Sequence, residues 1–418
     1  MKTLQEILSS PQAQDVKDRL VRYAKIETTS SRTNEAIPSS ESQWALARLL
    51  VQELGQLGCK DVLLDEHCFV IAKIPASPGM EGKPAVGFMA HVDTVADVSG
   101  TNVNPRAVPN YDGKIIKLSN ELVLDPAEFP ELLKYQGDTL IVTDGTTLLG
   151  ADDKAGVAEI MSAVKLLMEN PSIQHGPIYA IFTPDEETGR GMNAFPLDKV
   201  TMEACYTFDG GPAGEIEAEC FNAYGVQVKF TGRPSHPGYA RAVMANAASM
   251  AAHYASLLPR SESPEATDAW FGYYYILEIK GELERAELSL LLRDFSDEGM
   301  EKRIEALKQF AKVIELQFPG GSVEVLPSLQ YLNMKRKLLE TPKALNLLEQ
   351  AMRNADIEPH YKPIRGGTDG ARLTQMGVPT PNIFAGMHNF HSQQEWASVS
   401  EMALAVDVII ELAKLWAK

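Results

Sequence analysis

In the first half of the chain, apolar positions recur with two periods. Trp44, Leu46, Leu49, Leu50, Leu54 and Leu57 return at helical spacing, and Gly55 and Gly58 mark the end of that run. Residues 62–64, 70–74 and 85–90 read as strands, and the last is an unbroken apolar run of the kind buried on both faces of a sheet. From 92 to 148 the chain becomes rich in Asn, Pro and Gly and reads as an insertion with short strands, including 139–143. Val157, Ile160, Met161, Val164, Leu167 and Met168 then predict one face of a helix that starts near Asp153. Residues 178–182 and 204–208 are further short apolar strands. Alternation of this kind predicts an α/β sandwich around a largely parallel sheet.

The pattern changes near Glu219. Residues 225–231 alternate, with Val226, Val228 and Phe230 on one side. Residues 240–258 predict a helix whose buried stripe is Val243, Met244, Ala247, Met250, Ala251 and Tyr254. Two strands, 273–280 and 286–293, flank a Gly281-Glu282 turn, and a helix at 300–318 precedes a last strand at 322–326. The order β-α-β-β-α-β is the ferredoxin-like split pattern. The expectation is therefore an α/β domain in two parts, 1–220 and 332–418, interrupted by an inserted domain at 221–331. The second part returns to α/β character with a helix at 344–356, a strand at 381–384 and a closing helix from Met402.

Length and charge narrow the function. At 418 residues the chain exceeds one comfortable core, which agrees with two domains. A net charge of −17 argues against phosphate backbones and anionic membrane surfaces, so neither nucleic acid nor membrane is an expected partner. Residues 1–20 carry charges throughout and have no apolar segment, so no signal peptide is expected, and no run reaches the ~18 apolar residues of a membrane span. Cys59, Cys68, Cys205 and Cys220 show no Cys-x-x-Cys spacing, which favours buried thiols in a reducing cytoplasm.

Candidate chemistry lies in five separated pieces, each placed where an apolar run ends: His91-Val92-Asp93, Asp152-Asp153-Lys154, Asp185-Glu186-Glu187, Asp209 and His391. They supply imidazole nitrogen and carboxylate oxygen, the ligands of zinc and related divalent ions. Five pieces ending buried elements converge readily at one edge of an α/β sheet. His91 and Asp93 share a face of an extended chain, so Asp93 can accept the second ring N–H of a ligating His91. Asp152 and Asp153 precede a helix; Asp153 is assigned toward its cap and Asp152 to metal, where one carboxylate can bridge two ions about 3.5–4 Å apart. Within 185–187 one carboxylate can bind metal while its neighbour takes a proton. Either His388 or His391 can be the last nitrogen ligand. Taken singly, each piece is also what a turn, a cap or a charged loop supplies. Two further pieces suit a substrate. Arg365 in Arg365-Gly366-Gly367-Thr368-Asp369-Gly370 offers a fork for a carboxylate, and His236 in a Pro-Ser-His-Pro-Gly turn can donate to a developing oxyanion.

Longer shared stretches add a resemblance. They include 90–94, 103–105, 143–145, 148–156, 182–187, 208–211, 236–238, 243–247, 364–371 and 381–384, with Leu149-Gly150-Ala151-Asp152-Asp153-Lys154-Ala155-Gly156 and the Arg365 loop the most specific. On these, essentially the whole chain resembles the peptidase T family of tripeptide aminopeptidases, within the aminoacylase and glutamate-carboxypeptidase group of dinuclear zinc metallopeptidases. The resemblance implies a zinc-exopeptidase-like α/β sandwich with a lid, and two zinc ions per chain, with cobalt or manganese as substitutes. It implies that His91 and Asp209 complete one metal site, Glu187 and His391 the other, and that Asp152 bridges them. Asp93 would orient His91, and Glu186 would be the base that activates a metal-bridging water. Arg365 would anchor the C-terminal carboxylate of a tripeptide, and His236 and Asn246 would be polar contacts to it. A homodimer through the lid is a further implication. Ser392, Gln394 and His388 depart from the family pattern of Gly, His and an aromatic, while Glu395 is kept. The alternative readings are a dipeptidase or acylamino-acid hydrolase of the same group, or a catalytically silent peptide-binding relative.

Overall fold

The apolar runs of the first half become strands of one eight-stranded sheet. Its spatial order is Asp61–Leu64, Val70–Ile74, Ile178–Thr183, Val86–His91, Ala204–Gly210, Asn382–Phe384, Glu215–Glu217 and His360–Tyr361. The central four run parallel to one another, and Ile178–Thr183 and Val86–His91 are buried at every position. The sheet is more mixed than the alternation predicts. Asp61–Leu64 returns antiparallel onto Val70–Ile74 across a short link, Val70–Ile74 pairs antiparallel with Ile178–Thr183, and Glu215–Glu217 pairs antiparallel with Asn382–Phe384 but parallel with His360–Tyr361.

This computed structural model describes residues 2–119 and 121–418 and divides into two units. The first comprises Met1–Ala218, Lys337–Lys362 and Thr368–Lys418; the second comprises Glu219–Arg336 and Pro363–Gly367. The five residues 363–367, read from sequence as part of the α/β domain, group with the second unit. Ile364 donates its N–H to Glu219 O at 2.8 Å, and the Arg365 side chain is bonded to residues 267–271.

In the first unit the helix Ala151–Glu169 carries the predicted stripe, with Val157, Ile160, Met161, Val164 and Leu167 buried. Each such side chain contributes about 1.5–3 kcal/mol by leaving water. Gly156 sits where a Cβ would come within 2.0 Å of Phe208 O, so only glycine lets the helix lie this close to the strand that carries Asp209. The helix Pro11–Ala24, absent from the sequence reading, buries Ala13, Val16, Leu20 and Tyr23 at helical spacing behind a Ser10 cap. The 92–148 insertion forms short strands, two of which, Arg106–Val108 and Leu140–Val142, join Trp396–Ser398 and Met387–His388 in a separate four-stranded sheet.

The second unit follows the predicted order, with strands Asn222–Thr231, Tyr273–Gly281, Arg285–Asp294 and Ser322–Tyr331 and helices Ala247–Ser256 and Asp297–Gln317. One prediction fails locally. The first helix begins at Ala247, not 240, and Val243 is exposed. Arg233 and Ala245 exchange backbone hydrogen bonds, which holds the preceding segment out of helix until Asn246 caps it. No helix among the described residues is long and apolar enough to cross a membrane.

Candidate metal centre

The site residues sit where central strands of the first unit reach their C-terminal ends, the usual place for ligands in an open α/β sheet. His91 is the last residue of Val86–His91, and residues 185–187 follow Ile178–Thr183. Asp209 is the penultimate residue of Ala204–Gly210. His391 lies in the link between Met387–His388 and Trp396–Ser398, and Asp152 in the first turn of Ala151–Glu169.

Asp152 is shared between two histidines. Its Oδ1 lies 2.9 Å from His91 Nε2, and its Oδ2 lies 3.1 Å from His391 Nε2. Asp209 Oδ1 is 3.7 Å from His91 Nε2, and Glu187 Oε1 is 2.9 Å from His391 Nε2. Two trios result, His91–Asp152–Asp209 and Asp152–Glu187–His391, each with one ligand atom per residue within 4.8 Å of the others. Each trio offers one imidazole nitrogen and two carboxylates, a donor set that suits zinc and its neighbours. Glu187 Oε1 is buried with His391 Nε2 2.9 Å away, where a ligand oxygen would lie. The residues present therefore fit a pair of divalent ions.

The electrostatics fit the same picture. Burial disfavours the His91 cation, but contacts with Asp152, Asp209 and Asp93 prevail and raise its pKa well above the usual range. Hydrogen bonding to Asp152 and then Glu187 raises His391 to about 10. Burial raises Asp209 to about 7, and burial also raises Glu187. Burial is opposed at Asp152, where His391 and His91 hold the carboxyl below its ordinary value. Asp209 and Glu187 thus resist ionisation because burial outweighs the imidazoles beside them.

Around the trios, further carboxylates accept the backbone N–H groups of His91, Asp152 and Glu187, and the Asn382 amide oxygen accepts that of Asp209. Asp93 is fully buried; its Oδ1 lies 3.3 Å from His91 Nδ1, while its own carbonyl oxygen lies 3.1 Å from the same nitrogen. The two Asp93 carboxylate oxygens accept the N–H groups of Glu186 (3.0 Å) and Glu187 (3.2 Å). Asp153 accepts from His91 N and, as a cap would, from Gly156 N. Asp185 is turned away from the trios: it accepts from Ser39 N, Ser39 Oγ and Gln43 Nε2. Glu186 is different again. Burial, with the charges of Asp209, Asp369 and Glu187, raises its carboxyl well above the usual range.

Of the two candidate histidines, the structure brings His391 to the trios. His388 is buried elsewhere, stacked on Trp396 at 3.7 Å between ring centres and 3.4 Å from Glu401. The departures near His391 have local roles: Ser392 Oγ donates to Asn389 O, and Gln394 Nε2 donates to Val123 O. Sequence reasoning gave Glu395 no role, although it is the fourth residue after His391. It accepts the N–H groups of Leu149 and Gly150 at 2.8 Å and of Asp152 at 3.0 Å. Asp369, which accepts from Thr183 Oγ1 at 2.5 Å, was also missed as an individual residue.

The substrate candidates belong to the second unit. Arg365 donates to the carbonyl oxygens of Thr267, Ala269 and Phe271 and to Thr267 Oγ1, and its guanidinium lies over Phe221 and Tyr273. His236 is exposed and accepts Gly238 N–H at Nδ1, which leaves Nε2 outward. Asn246 Oδ1 accepts Ser249 N–H as the cap of its helix.

The chain matches the model of peptidase family M20/M25/M40 over residues 141–415. Peptidase T of Bacillus licheniformis is 45% identical to it over 401 residues, 96% of this chain and 98% of that protein. Among solved structures, the aminopeptidase PepT from Bacillus cereus superposes with a TM-score of 0.76 at 22% identity, covering 97% of this chain and 99% of that one. A dinuclear metal-binding M20 peptidase from Bacillus subtilis gives a TM-score of 0.66 at 15% identity over 97% of this chain and 98% of that one.

Proposed function

The chain belongs to peptidase family M20/M25/M40, and on that premise we propose that it removes the N-terminal residue from tripeptides with two zinc ions, in the cytoplasm. The observation that carries this reading is Asp152 held between two imidazole–carboxylate pairs, with the Glu186 carboxyl beside them. The peptide substrate is supported by the peptidase T relatives. The cytoplasm is supported by four buried cysteines that form no disulfide among the described residues.

His91, Asp209 and Asp152 would hold one ion, and Glu187, His391 and Asp152 the other. When bound, such ions supply an electrophile for the scissile carbonyl and make water acidic enough to ionise near neutral pH. The remaining work belongs to side chains. Asp93 engages His91 Nδ1, which leaves Nε2 toward Asp152 and Asp209, and it holds the 186–187 backbone, so Glu186 is fixed relative to both trios. The Glu186 carboxylate takes a proton at an Oε atom from the attacking water and returns it to the leaving amine. Burial of Glu186 raises its proton affinity toward what such a shuttle requires. Arg365 reads the substrate's C-terminal carboxylate, which requires it to yield part of its hold on residues 267–271. His236 offers Nε2, and Asn246 its amide N–H, to the peptide.

The experiment is a metal titration combined with a peptide length series. Metal-stripped protein should be inactive and regain activity as zinc or cobalt reaches two per chain, with kcat/KM highest on tripeptides. Full activity in rigorously metal-free protein would overturn the metal reading. Higher efficiency on dipeptides or acylated amino acids would overturn the substrate reading.

A further inference from the structure

We propose that Glu395 is the positioning residue that sets both metal sites at once, by holding the backbone from which the shared Asp152 projects. The inference rests on the two-ion reading above. Glu395 is 1% exposed, and its carboxylate is filled by three backbone donors: Leu149 and Gly150 on Oε2, Asp152 on Oε1. Those donors belong to one turn. Gly150 is left-handed at φ 75°, and the backbone at Asp152 and Asp153 departs from helical geometry before the Ala151–Glu169 helix settles. Carboxylates that accept several N–H groups organise such turns, since each buried donor left unpaired is costly.

Glu395 also sits on the element that carries His391. Asn389 Nδ2 donates to Gln394 O, Ser392 Oγ donates to Asn389 O, and Gln394 N donates to Ser392 Oγ, so the link from His391 to Glu395 is internally bonded. One side chain therefore ties the His391 link to the Asp152 turn. Asp152 contributes one oxygen to each trio. A displacement of its backbone moves both oxygens together, whereas loss of Asp209 or Glu187 removes a ligand from one trio only.

Glutamine at 395 separates these cases. The amide has one acceptor oxygen and one NH2, so whichever way it is turned, its nitrogen faces at least one backbone N–H. Glu395→Asp keeps both acceptors and the charge but is one methylene short.

The test is calorimetric titration of metal-stripped protein with zinc, with the visible spectrum of the cobalt-loaded form as a second readout. Wild type should take two zinc ions per chain, and Asp209→Ala should weaken chiefly one. Glu395→Gln should weaken both, each by about 10–100-fold as outer-shell changes do. It should also alter the cobalt spectrum and lower kcat at saturating metal, with KM little changed. Glu395→Asp should recover part of both affinities. Wild-type zinc binding by Glu395→Gln, or weakening of one ion alone, overturns the proposal. A wild type that binds no zinc overturns the two-ion reading instead. Should circular dichroism show Glu395→Gln unfolded, Glu395→Asp decides: parallel loss at both sites supports the proposal, and unchanged binding overturns it.

Discussion

The metal centre of the first unit and the substrate candidates of the second use the same residue types in opposite ways. In the first unit, His91, Asp152, Glu187, Asp209 and His391 turn their polar atoms toward one another, and the backbones of the first four are held by other side chains. In the second unit, Arg365 and Asn246 direct their polar atoms at neighbouring backbone, and His236 directs one ring nitrogen there. A side chain whose polar atoms are bound locally is explained by the fold alone. Buried acids that converge on one point with imidazoles, as Asp209 and Glu187 do, point to a ligand or a reaction. Convergence, rather than residue type, marks a site.

The largest expected effect lies inside the convergent region. Glu186→Gln should keep both ions and the fold yet lose about 10²–10⁴-fold in kcat, because the near-isosteric amide cannot accept a proton. Glu187→Gln should instead lose affinity for one ion, since Glu187 Oε1 faces His391. Kinetics with metal analysis on both variants checks the pair. Loss of metal from Glu186→Gln, with metal retained by Glu187→Gln, would reverse the two roles.

Arg365 is where the comparison is most open to breaking. If it reads the substrate carboxylate, Arg365→Ala should cost on the order of 2–5 kcal/mol of kcat/KM on free tripeptides. The same peptides amidated at the C-terminus should lose far less, and Arg365→Lys should rescue only partly because a point charge cannot replace the planar fork. Equal proportional losses on both substrates would make Arg365 a clamp for residues 267–271 and nothing more.

Much of this was legible in the chain, for reasons that differ by residue. The strands ending at His91 and Asp209 are apolar runs that nothing but a buried sheet explains, so the ligands at their tips could be ordered along one edge. His388 and His391 could not be separated by pattern, because the Trp396 stacking partner and the Glu401 contact of His388 depend on how the 387–398 link closes. Glu395 was invisible for the same reason: its partners lie more than 240 positions earlier. The start of the Ala247–Ser256 helix was misplaced because Val243 and Met244 continue the apolar stripe, while pairing with Arg233 overrides it.

Glu159 is a buried acid of the first unit that stands outside both trios. It lies on the same helix as Asp152 and is fully buried, with both oxygens lacking a hydrogen-bond partner among the described residues. Burial, with the charge of Glu401, raises its pKa well above the ordinary value. Nothing converges on it, so Glu159→Met should leave turnover unchanged and raise stability by about 1–3 kcal/mol at neutral pH, the cost of an unpaired buried polar group. The folded-state pKa exceeds the unfolded value near ~4.3, so this carboxyl's contribution is intact below that pH and is lost as pH rises through the folded pKa. The advantage of the Glu159→Met variant should therefore grow with pH across that window, as urea unfolding at several pH values would record. A pH-independent difference would mean that Glu159 is not held protonated.

The smallest effect tests whether local bonding and substrate contact can coexist in one side chain. Asn246 uses Oδ1 to cap the Ala247–Ser256 helix, so Asn246→Ala should cost ~0.5–2 kcal/mol of stability. Asn246→Asp keeps the cap, and adds a favourable charge at the helix N-terminus, but removes the amide N–H. If Asn246 contacts only its own helix, Asp should restore both stability and KM. If it also donates to the peptide, as proposed, Asp should restore stability while KM stays raised, because a carboxylate would face the substrate carbonyl where an N–H had been. Thermal melts and KM values for wild type and both variants decide between the two. A KM restored by Asp would place Asn246 wholly with the locally bound group and remove it from the substrate site.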